Sequence, residues 1–427
     1  MNRGNERVVT SWYERLHSTS VQALYLHVPF CARKCSYCDF TSWATRRDDA
    51  VLGRYVDTLC VQLDEARELG LLTDCRTAYV GGGTPTLLGP QLLGTLINKV
   101  RAVTTSLAEL TVEANPDSLS DEVIAALVHA GTTRLSIGVQ SLNDEELKAL
   151  GRLHDARTAC ERVRAAVASG LDVSLDLMCA TPAQTAISWK TTLEKALDLG
   201  VGHVSVYPLQ IEEGTPLEQA LDDDEPAWND PSVQAERMEQ AEEALCRAGM
   251  ERYEVASYAR SGKSCLHNQA YWTGRPYLGL GTGASSLLTR EAYEALRSSW
   301  TALPAPENDT TRLRLTVTSG PNEMAADVRL SALHAEVEFL NESQATAEDL
   351  MLGMRLSRGI GSGLLERAYR SIGTTRVNEA LATCEKRGLI ARQDDRFVPT
   401  HDGWLLGNEL YGLLWGLAEE SVHAIQV

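Results

Sequence analysis

The sequence of 427 residues lacks the long apolar segments that mark membrane-spanning and exported proteins. No run reaches the roughly 18 apolar residues that a spanning helix needs, so we expect a protein that is not itself transmembrane. Residues 1–16 are polar and of mixed charge, without the apolar core of a secretory signal, and we therefore expect a cytoplasmic protein. Internal repeats and low-complexity tracts are also missing, which indicates ordinary globular domains.

Positive charge is scarce. The chain has 40 Lys and Arg against 58 Asp and Glu, a formal net charge of −18. Since phosphate contacts depend on clustered cations, this balance argues against a nucleic-acid partner. A disulfide framework is not expected either, because most of the 10 cysteines are scattered and no export signal accompanies them. The exception is a group of three, at positions 31, 35 and 38.

Between residues 21 and 210, short apolar runs alternate with amphipathic helical patterns. This alternation predicts βαβ units and a parallel sheet. Six units in this length fit an α/β fold with an open, partial (β/α)6 barrel better than a closed barrel of eight strands. The predicted strands are Ala23–Val28, Arg76–Val80, Leu110–Glu113, Arg134–Ile137, Val173–Leu177 and His203–Tyr207. The predicted helices are Val51–Leu69, Gln91–Val103, Asp121–His129, Asp155–Ala168 and Ser188–Leu199.

The rest of the chain divides into further segments. Residues 212–230 are acidic and read as an exposed loop, and 251–286 are dense in Tyr, Gly, Asn and Trp and read as a functional loop region without regular elements. The predicted domains are an N-terminal extension (1–20), a barrel core with the loop region (21–300), a connecting segment that is irregular or short-stranded (301–344) and a winged-helix-like α+β module (345–427).

The predicted C-terminal module has a defined order of elements. It consists of helices at Ala347–Leu356, Gly363–Tyr369 and Thr375–Lys386, a two-stranded wing at Leu389–Val398 and a closing helix at Thr400–Leu417. Winged helices often bind DNA, but residues 373–400 carry nearly balanced charge, and a recognition face needs a positive stripe.

The group of three cysteines carries the chemistry. Cys31, Cys35 and Cys38 have the spacing C-x3-C-x2-C just after the first strand. Thiolates suit zinc or iron–sulfur clusters, and structural zinc would need a fourth nearby Cys or His. Three cysteines can instead hold three irons of a [4Fe–4S] cluster and leave the fourth iron open to another ligand.

This pattern resembles the radical S-adenosylmethionine (SAM) superfamily, and further motifs resemble its HemN/HemW group. The motifs are LYLHVPFC (24–31), GGGTPT (81–86), VEANPDS (112–118), RLSIGVQS (134–141), LGRLHDA (150–156), HVSVYPLQIEEGT (203–215) and YLGLGTGA (277–284). The resemblance implies a [4Fe–4S] cluster on the three cysteines, SAM on the open iron and an electron donor as partner. The positions that it implies for SAM binding are Tyr25, Tyr37, Gly82, Gly83, Thr84, Glu113, Gln140, Arg152, Asp176 and Gln210.

Two features separate the subgroups. HemN-type proteins, which decarboxylate coproporphyrinogen III, extend the motif to C-x3-C-x2-C-x-C, but here Phe40 stands at the fourth position. HemW-type proteins bind haem and carry an HNxxYW motif, which residues 267–272 match. The resemblance implies haem contacts at His267, Asn268, Tyr271 and Trp272, with Cys265 as an alternative iron ligand.

The resemblance therefore implies a HemW-type haem chaperone that passes haem to apo-proteins, such as membrane-associated proteins of the respiratory chain. The alternatives are an oxygen-independent coproporphyrinogen III dehydrogenase and, more remotely, a cluster-sensing DNA-binding regulator. Two stretches depart from the family pattern: ATPAQT (180–185) replaces GLPGQT, and GASS (283–286) replaces GAHS. Whether SAM is cleaved or only bound, which proteins accept haem or donate electrons, and the oligomeric state are left open by the sequence.

Overall fold

The computed structural model describes residues 18–221, 226–418 and 424–426. The strands are β1 (Ala23–Val28), β2 (Phe30–Cys31), β3 (Trp43–Ala44), β4 (Thr77–Gly82), β5 (Glu109–Ala114), β6 (Arg134–Gln140), β7 (Asp172–Cys179), β8 (His203–Pro208), β9 (Glu251–Arg252), β10 (Ser257–Ala259), β11 (Tyr277–Leu280), β12 (Ser285–Thr289), β13 (Thr310–Val317), β14 (Ala335–Asn341), β15 (Ile390–Gln393), β16 (Arg396–Pro399) and β17 (Ala424–Gln426).

Helices cover the faces of the sheet and build the C-terminal module. They are α1 (Ala50–Glu68), α2 (Gly89–Val103), α3 (Asp121–Ala130), α4 (Asp144–Ala149), α5 (Ala156–Ala168), α6 (Ala186–Asp198), α7 (Pro216–Gln219), α8 (Pro231–Arg247), α9 (Leu266–Trp272), α10 (Arg290–Ser299), α11 (Pro321–Met324), α12 (Glu342–Gly353), α13 (Ser362–Ala368), α14 (Thr374–Lys386), α15 (His401–Leu405) and α16 (Gly407–Trp415). A π-helical segment, Tyr369–Gly373, links α13 to α14.

One large sheet organises the molecule. Its strand order is β17-β14-β13-β12-β11-β1-β4-β5-β6-β7-β8-β10-β9. The strands from β11 to β8 are parallel, and the flanking strands are antiparallel. In the described part of the chain the edge strands β17 and β9 do not pair with each other, so the sheet does not close. The predicted fold class, a mixed α/β protein with a partial barrel, is confirmed.

The helices form where the sequence supplies a cap followed by an apolar stripe. The side chain of Asp49 accepts from the amide of Val51 at 2.9 Å and starts α1. The stripe of α1 then buries Leu52, Tyr55 and Leu59 at helical spacing against the sheet. The same combination of cap and apolar stripe forms α5, which Asp155 caps, and α6, which Thr185 caps.

The structure differs from the predicted loop region at 251–286. These residues hold β9, β10, α9 and β11, and β11 pairs in parallel with β1. The strand β11 is only four residues long and contains Gly279, so the alternation of apolar and polar residues that would mark a strand is too short to be detected. The glycine is needed because a Cβ there would lie 2.1 Å from the carbonyl oxygen of Ser285 on β12.

The connecting segment 301–344, predicted to be irregular or short-stranded, contains the antiparallel strands β13 and β14, which extend the same sheet. The predicted single closing helix is also wrong, because the chain turns at Leu406 and forms α15 and α16. The helices α12, α13 and α14 and the β15–β16 wing occupy the places predicted for the winged-helix-like module. The division into domains stays a prediction.

Two hydrophobic cores lie on either side of a buried ionic network. One core contains the sheet and its helices, and the other lies within residues 347–417. Between them, both terminal nitrogens of Arg312 on β13 donate to Asp349 on α12, at 2.8 and 2.9 Å. Arg367 on α13 donates to the same carboxylate at 2.6 Å. All three side chains are buried, so Asp349 joins the sheet edge to the C-terminal helices.

A search of the described residues finds no helix that is both long and apolar enough to cross a membrane.

We predict that Asp349→Ala destabilises the protein by about 3 kcal/mol, because Arg312 and Arg367 lose their shared buried anion and keep one other carboxylate each, Glu348 and Glu342. Chemical denaturation of purified protein measures this change. The control is Asp48→Ala, which breaks an exposed ion pair with Arg46 and is expected to have a much smaller effect. Equal stability of the two variants would contradict the assigned role of the network.

Candidate functional site

The parallel strands curve around a cavity of about 460 Å³, a size typical of small-molecule sites. It extends from the three cysteines, beyond the carboxyl end of β1, to Arg134 and His203 at the first positions of β6 and β8. Many of its lining residues lie at alternate positions of the strands. These are Thr111, Glu113, Ser136, Gly138, Gln140, Ser174, Asp176, Met178, Ser205 and Tyr207.

The predicted cluster ligands lie together at one end of this cavity. Cys31, Cys35 and Cys38 all line it and are partly buried. The Thr84 hydroxyl donates to the Cys31 sulfur at 3.4 Å. Burial raises the pKa of Cys31, and this hydrogen bond opposes the shift. Burial likewise raises the pKa of Cys38, against a hydrogen bond from the Phe40 amide.

Arg152 connects the cysteine loop to the barrel. One terminal nitrogen donates to the Cys35 sulfur at 3.4 Å. The other donates to the side-chain oxygen of Asn115 and to the carbonyl of Gly138, both at 2.7 Å. Asn115 in turn donates to Thr84 at 2.8 Å. This network places hydrogen-bond donors against two of the three sulfurs, which suits thiolate ligands.

The glycine motif GGGTPT (81–86) begins at the end of β4 and passes close to the cysteine loop. Gly82 has φ 108°, and a Cβ there would lie 2.4 Å from the His27 ring. A Cβ on Gly83 would lie 2.8 Å from backbone atoms of Phe30, next to the first cysteine. Glycine is therefore required at both positions for the strand to approach the cysteine loop.

Glu113 and Asp176 are the carboxylates of the cavity. Glu113 accepts from the Tyr79 hydroxyl at 2.8 Å and from the Gly82 amide at 2.9 Å. Burial raises the pKa of Glu113 to about 7, although these hydrogen bonds oppose the shift. Burial also raises the pKa of Asp176 to about 6, against hydrogen bonds from Ser136 and Ser205. Both groups therefore titrate close to neutral pH.

Gln140 sits in a strained position at the end of β6. Its φ is 65°, unusual for a residue with a side chain, and the pairing with β7 shifts register between Gly138 and Gln140. The irregularity accompanies a position on the cavity wall, which Tyr37 and the exposed Gln210 also line. Strain of this kind is common at binding sites.

Tyr25 lies behind the cavity wall. Its hydroxyl is 2.9 Å from Nδ1 of His27, and its ring stacks on Tyr79 at 6.2 Å. Burial raises its pKa, with Glu113 as a further cause. Tyr25 is therefore positioned to support Tyr79 and is not among the lining residues.

The HNxxYW motif forms α9, which packs across the amino ends of β4 and β5. Nδ1 of His267 lies 3.0 Å from the hydroxyl of Thr77, the first residue of β4. Glu109, the first residue of β5, accepts from the amides of Leu266 and His267, both at 2.9 Å. Of the four predicted haem contacts, Asn268 lines the cavity, and Trp272 donates to Glu254 at 3.1 Å.

His267 has the donor chemistry of a haem ligand but not the access. Its Nε2 has no hydrogen-bond partner in the described structure, and burial lowers its pKa to about 3, so the imidazole is neutral. However, the residue is 1% exposed, between the rings of Tyr79 and Tyr271 at 5.1 and 4.9 Å. A flat macrocycle does not fit against Nε2 in this conformation. The haem contacts stay a prediction.

The two departures from the family pattern have different consequences. Ala180 and Ala183, which replace glycines, both adopt positive φ, 53° and 64°, so the loop keeps a glycine-like backbone at the cost of strain. Ser285, which replaces a histidine, pairs with Thr316 across β12 and β13 at 2.8 Å. It supports strand pairing and is not among the lining residues.

Several residues of the cavity were not predicted from the sequence. They are Asn115, Thr111, Arg134, Ser136, Ser174, His203, Ser205 and Tyr207. Cys265, which the sequence suggested only as an alternative iron ligand, also lines the cavity. A signal was present, because polar side chains occupy the alternate positions of β6, β7 and β8 except at Gly138 and Met178, and such strands are otherwise apolar when helices cover the sheet.

Comparison with known proteins gives consistent results. The family model of the radical SAM superfamily matches residues 25–196. Heme chaperone HemW of Mycobacterium tuberculosis is 34% identical over 398 residues, which cover 92% of this chain and 94% of the relative. Heme chaperone HemW of Bacillus subtilis is 29% identical over 93% of this chain and all of the relative (100%). The structure of coproporphyrinogen III oxidase (HemN) from Escherichia coli is 19% identical, with a TM-score of 0.73 over 95% of this chain and 93% of that one.

We predict that Glu113 makes the protein less stable as the pH rises. Its folded pKa of about 7 lies above the ordinary value of 4.5, so its contribution is present below pH 4.5 and is lost as the pH rises through 7. Glu113→Gln should therefore show a shallower loss of stability between pH 5 and 8, by up to about 3 kcal/mol. Thermal unfolding across this range measures the effect.

The control is Glu145→Gln, which removes an exposed carboxylate on α4 and should leave the wild-type slope unchanged. If Glu113→Gln follows the wild-type pH profile, the carboxylate does not titrate near neutral pH.

Proposed function

Because the chain belongs to the HemW family within the radical SAM superfamily, we propose that it is a haem chaperone, which binds a [4Fe–4S] cluster, SAM and haem and transfers the haem to apo-proteins. The observation that carries the proposal is the similarity to curated haem chaperones along nearly the whole chain. The likeness to the HemN structure supports the fold that both groups share.

The residues present fit the cluster and SAM. The thiolates of Cys31, Cys35 and Cys38 would hold three irons, and hydrogen bonds from Thr84 and Arg152 would stabilise their negative charge. When bound, the cluster and SAM supply radical chemistry. The chain supplies a shielded polar cavity below them, in which Glu113, Gln140 and Asp176 offer hydrogen bonds to a polar ligand.

We place haem at the HNxxYW motif as part of the proposal. A metal-ligating histidine usually has one ring nitrogen held by a hydrogen bond and the other free, as His267 has with Thr77. Because Tyr79 and Tyr271 enclose the ring, ligation requires that α9 moves away from the amino ends of β4 and β5. Haem binding is then coupled to the release of contacts that hold α9.

The proposal extends to the protein's partners. An electron donor would reach the cluster at the carboxyl end of the barrel, where Phe40 is 62% exposed beside the cysteine loop. The acceptors would be apo-proteins that need haem, such as membrane-associated respiratory proteins, and the chaperone would act in the cytoplasm.

We predict that the protein, reconstituted anaerobically with iron and sulfide, binds haem in a near-stoichiometric titration, followed by its Soret band. His267→Ala should weaken binding about tenfold or more, because it removes the proposed iron ligand. Hydrogen exchange of the α9 amides should become faster when haem binds to the wild type, because α9 must move.

The matched control is His129→Ala, which removes an exposed histidine on α3 and should titrate like the wild type. Unchanged affinity of His267→Ala would refute the proposed ligand. Conversion of coproporphyrinogen III by the reconstituted protein with SAM and a reductant, without haem binding, would refute the chaperone and establish the dehydrogenase.

The role of the cysteines has a separate control. Cys35→Ala should lose the iron and the visible absorbance of the cluster on reconstitution, whereas Cys246→Ala, an exposed cysteine on α8, should keep both.

A further inference from the structure

The end of the cavity opposite the cysteines contains a buried guanidinium group, of which one terminal nitrogen has no hydrogen-bond partner among the described residues. Arg134, the first residue of β6, is 4% exposed and lines the cavity. One terminal nitrogen donates to the carbonyl of Lys263 at 2.9 Å, and the other, Nη2, has no hydrogen-bond partner in the described part of the chain. Burial of such a group without an acceptor is unfavourable, so its position needs an explanation.

A second unsatisfied donor lies beside it. Thr111 on β5 is the register partner of Arg134, so the two side chains lie on adjacent strands at the same level. Thr111 is fully buried, lines the cavity, and its hydroxyl has no partner among the described residues. Two neighbouring donors without acceptors on one cavity wall match the chemistry of a ligand that accepts hydrogen bonds.

A chain of hydrogen bonds turns a third donor toward the cavity. The Tyr253 hydroxyl accepts from the Cys265 amide at 3.2 Å and lies 2.9 Å from Nε2 of His203, to which its own proton can be donated. In the tautomer of the neutral ring that carries its proton on Nδ1, His203 donates to the Ser174 oxygen, which lies 2.6 Å away. The Ser174 hydroxyl proton remains free to point into the cavity, which Ser174 lines.

The environment of His203 keeps its ring neutral. Burial, together with the nearby charge of Arg134, holds the pKa of His203 well below its ordinary value, so the ring is neutral. The nearby carboxylates have other partners: Asp176 accepts from Ser136 at 3.0 Å, and Glu109 accepts from the α9 amides. Nη2 of Arg134 and the Thr111 hydroxyl therefore lack a protein acceptor among the described residues, and the Ser174 hydroxyl lacks one in the Nδ1-protonated tautomer of His203.

We propose that this end of the cavity is a carboxylate-binding subsite, in which Nη2 of Arg134 and the hydroxyls of Thr111 and Ser174 donate to the ligand's oxygens. An arginine with neighbouring hydroxyl donors suits a carboxylate. The subsite is separate from Arg152, because Arg152 contacts the carbonyl of Gly138, which lies four residues, or about 13 Å, along β6 from Arg134. The carboxylate comes either from a free small acid or from a propionate of a bound tetrapyrrole.

The first experiment uses free propionate as the probe and needs no haem. Titration into the reconstituted full-length protein, followed by calorimetry, should show binding to the wild type. Binding to Arg134→Gln should be about tenfold weaker or more, because a charge-assisted hydrogen bond is lost. Arg157→Gln, which removes an exposed arginine on α5, is the matched control and should bind like the wild type.

The second experiment distinguishes the two sources and rests on the proposed function. Haem and its dimethyl ester are titrated into wild type and Arg134→Gln. If the variant weakens the binding of haem but not of the ester, the subsite takes a propionate of the tetrapyrrole. If free propionate depends on Arg134 and haem does not, the ligand is a free small carboxylate. Either result supports the subsite.

The proposal is overturned if folded Arg134→Gln binds both propionate and haem as the wild type does, or if the wild type binds no propionate and haem affinity is independent of Arg134. Should this variant not fold, Thr111→Val and Ser174→Ala replace it, and each should weaken carboxylate binding about threefold or more. Failure of the wild type to bind haem refutes the proposed function, but the propionate titration still decides on the subsite.

Discussion

The alternation of side chains along parallel strands is the constraint on which the rest of the structure depends. In β6, Leu135, Ile137 and Val139 face the helices and are fully buried in the core, whereas Arg134 and Gln140 line the cavity from its two ends. Since the strands are hydrogen-bonded in parallel register, the same alternation in their neighbours lines one polar cavity within an apolar shell. A shift of one residue would move every polar group into the helix layer.

The two ends of this cavity are held by different interactions. At the carboxyl end, Arg152 connects Cys35 to Asn115 and to the strand backbone, so the cysteine loop has a fixed position relative to the barrel. At the amino end, α9 is held by Glu109 and Thr77. The first end suits a cluster and its ligand, and the second combines a neutral histidine with donors that have no acceptor. Haem and carboxylate binding are therefore both proposed at the end that α9 closes.

Much of the fold was predictable because local patterns specify it. The six parallel strands and the helices between them follow from alternating apolar runs and stripes, and the observed bounds agree with the predicted ones to within a few residues. The strands β11, β13 and β14 were not predicted, since β11 is stabilised by pairing with β1, more than 250 residues earlier in the chain. The replacement of two glycines in ATPAQT left open whether this loop avoids positive φ or tolerates strain, and the structure shows positive φ at Ala183.

The sequence by itself was enough to identify the three cysteines, their spacing and the motifs that relate this chain to its family, because these are short-range patterns of side-chain chemistry. Tertiary structure alone decided which groups meet. Arg152 reaches Cys35 across 117 residues of chain, and Thr77 meets His267 across 190. It also decided that His267 is enclosed and that Arg134 and Thr111 lie side by side without acceptors. Burial and unsatisfied hydrogen bonds depend on neighbours from distant segments, and no local pattern encodes them.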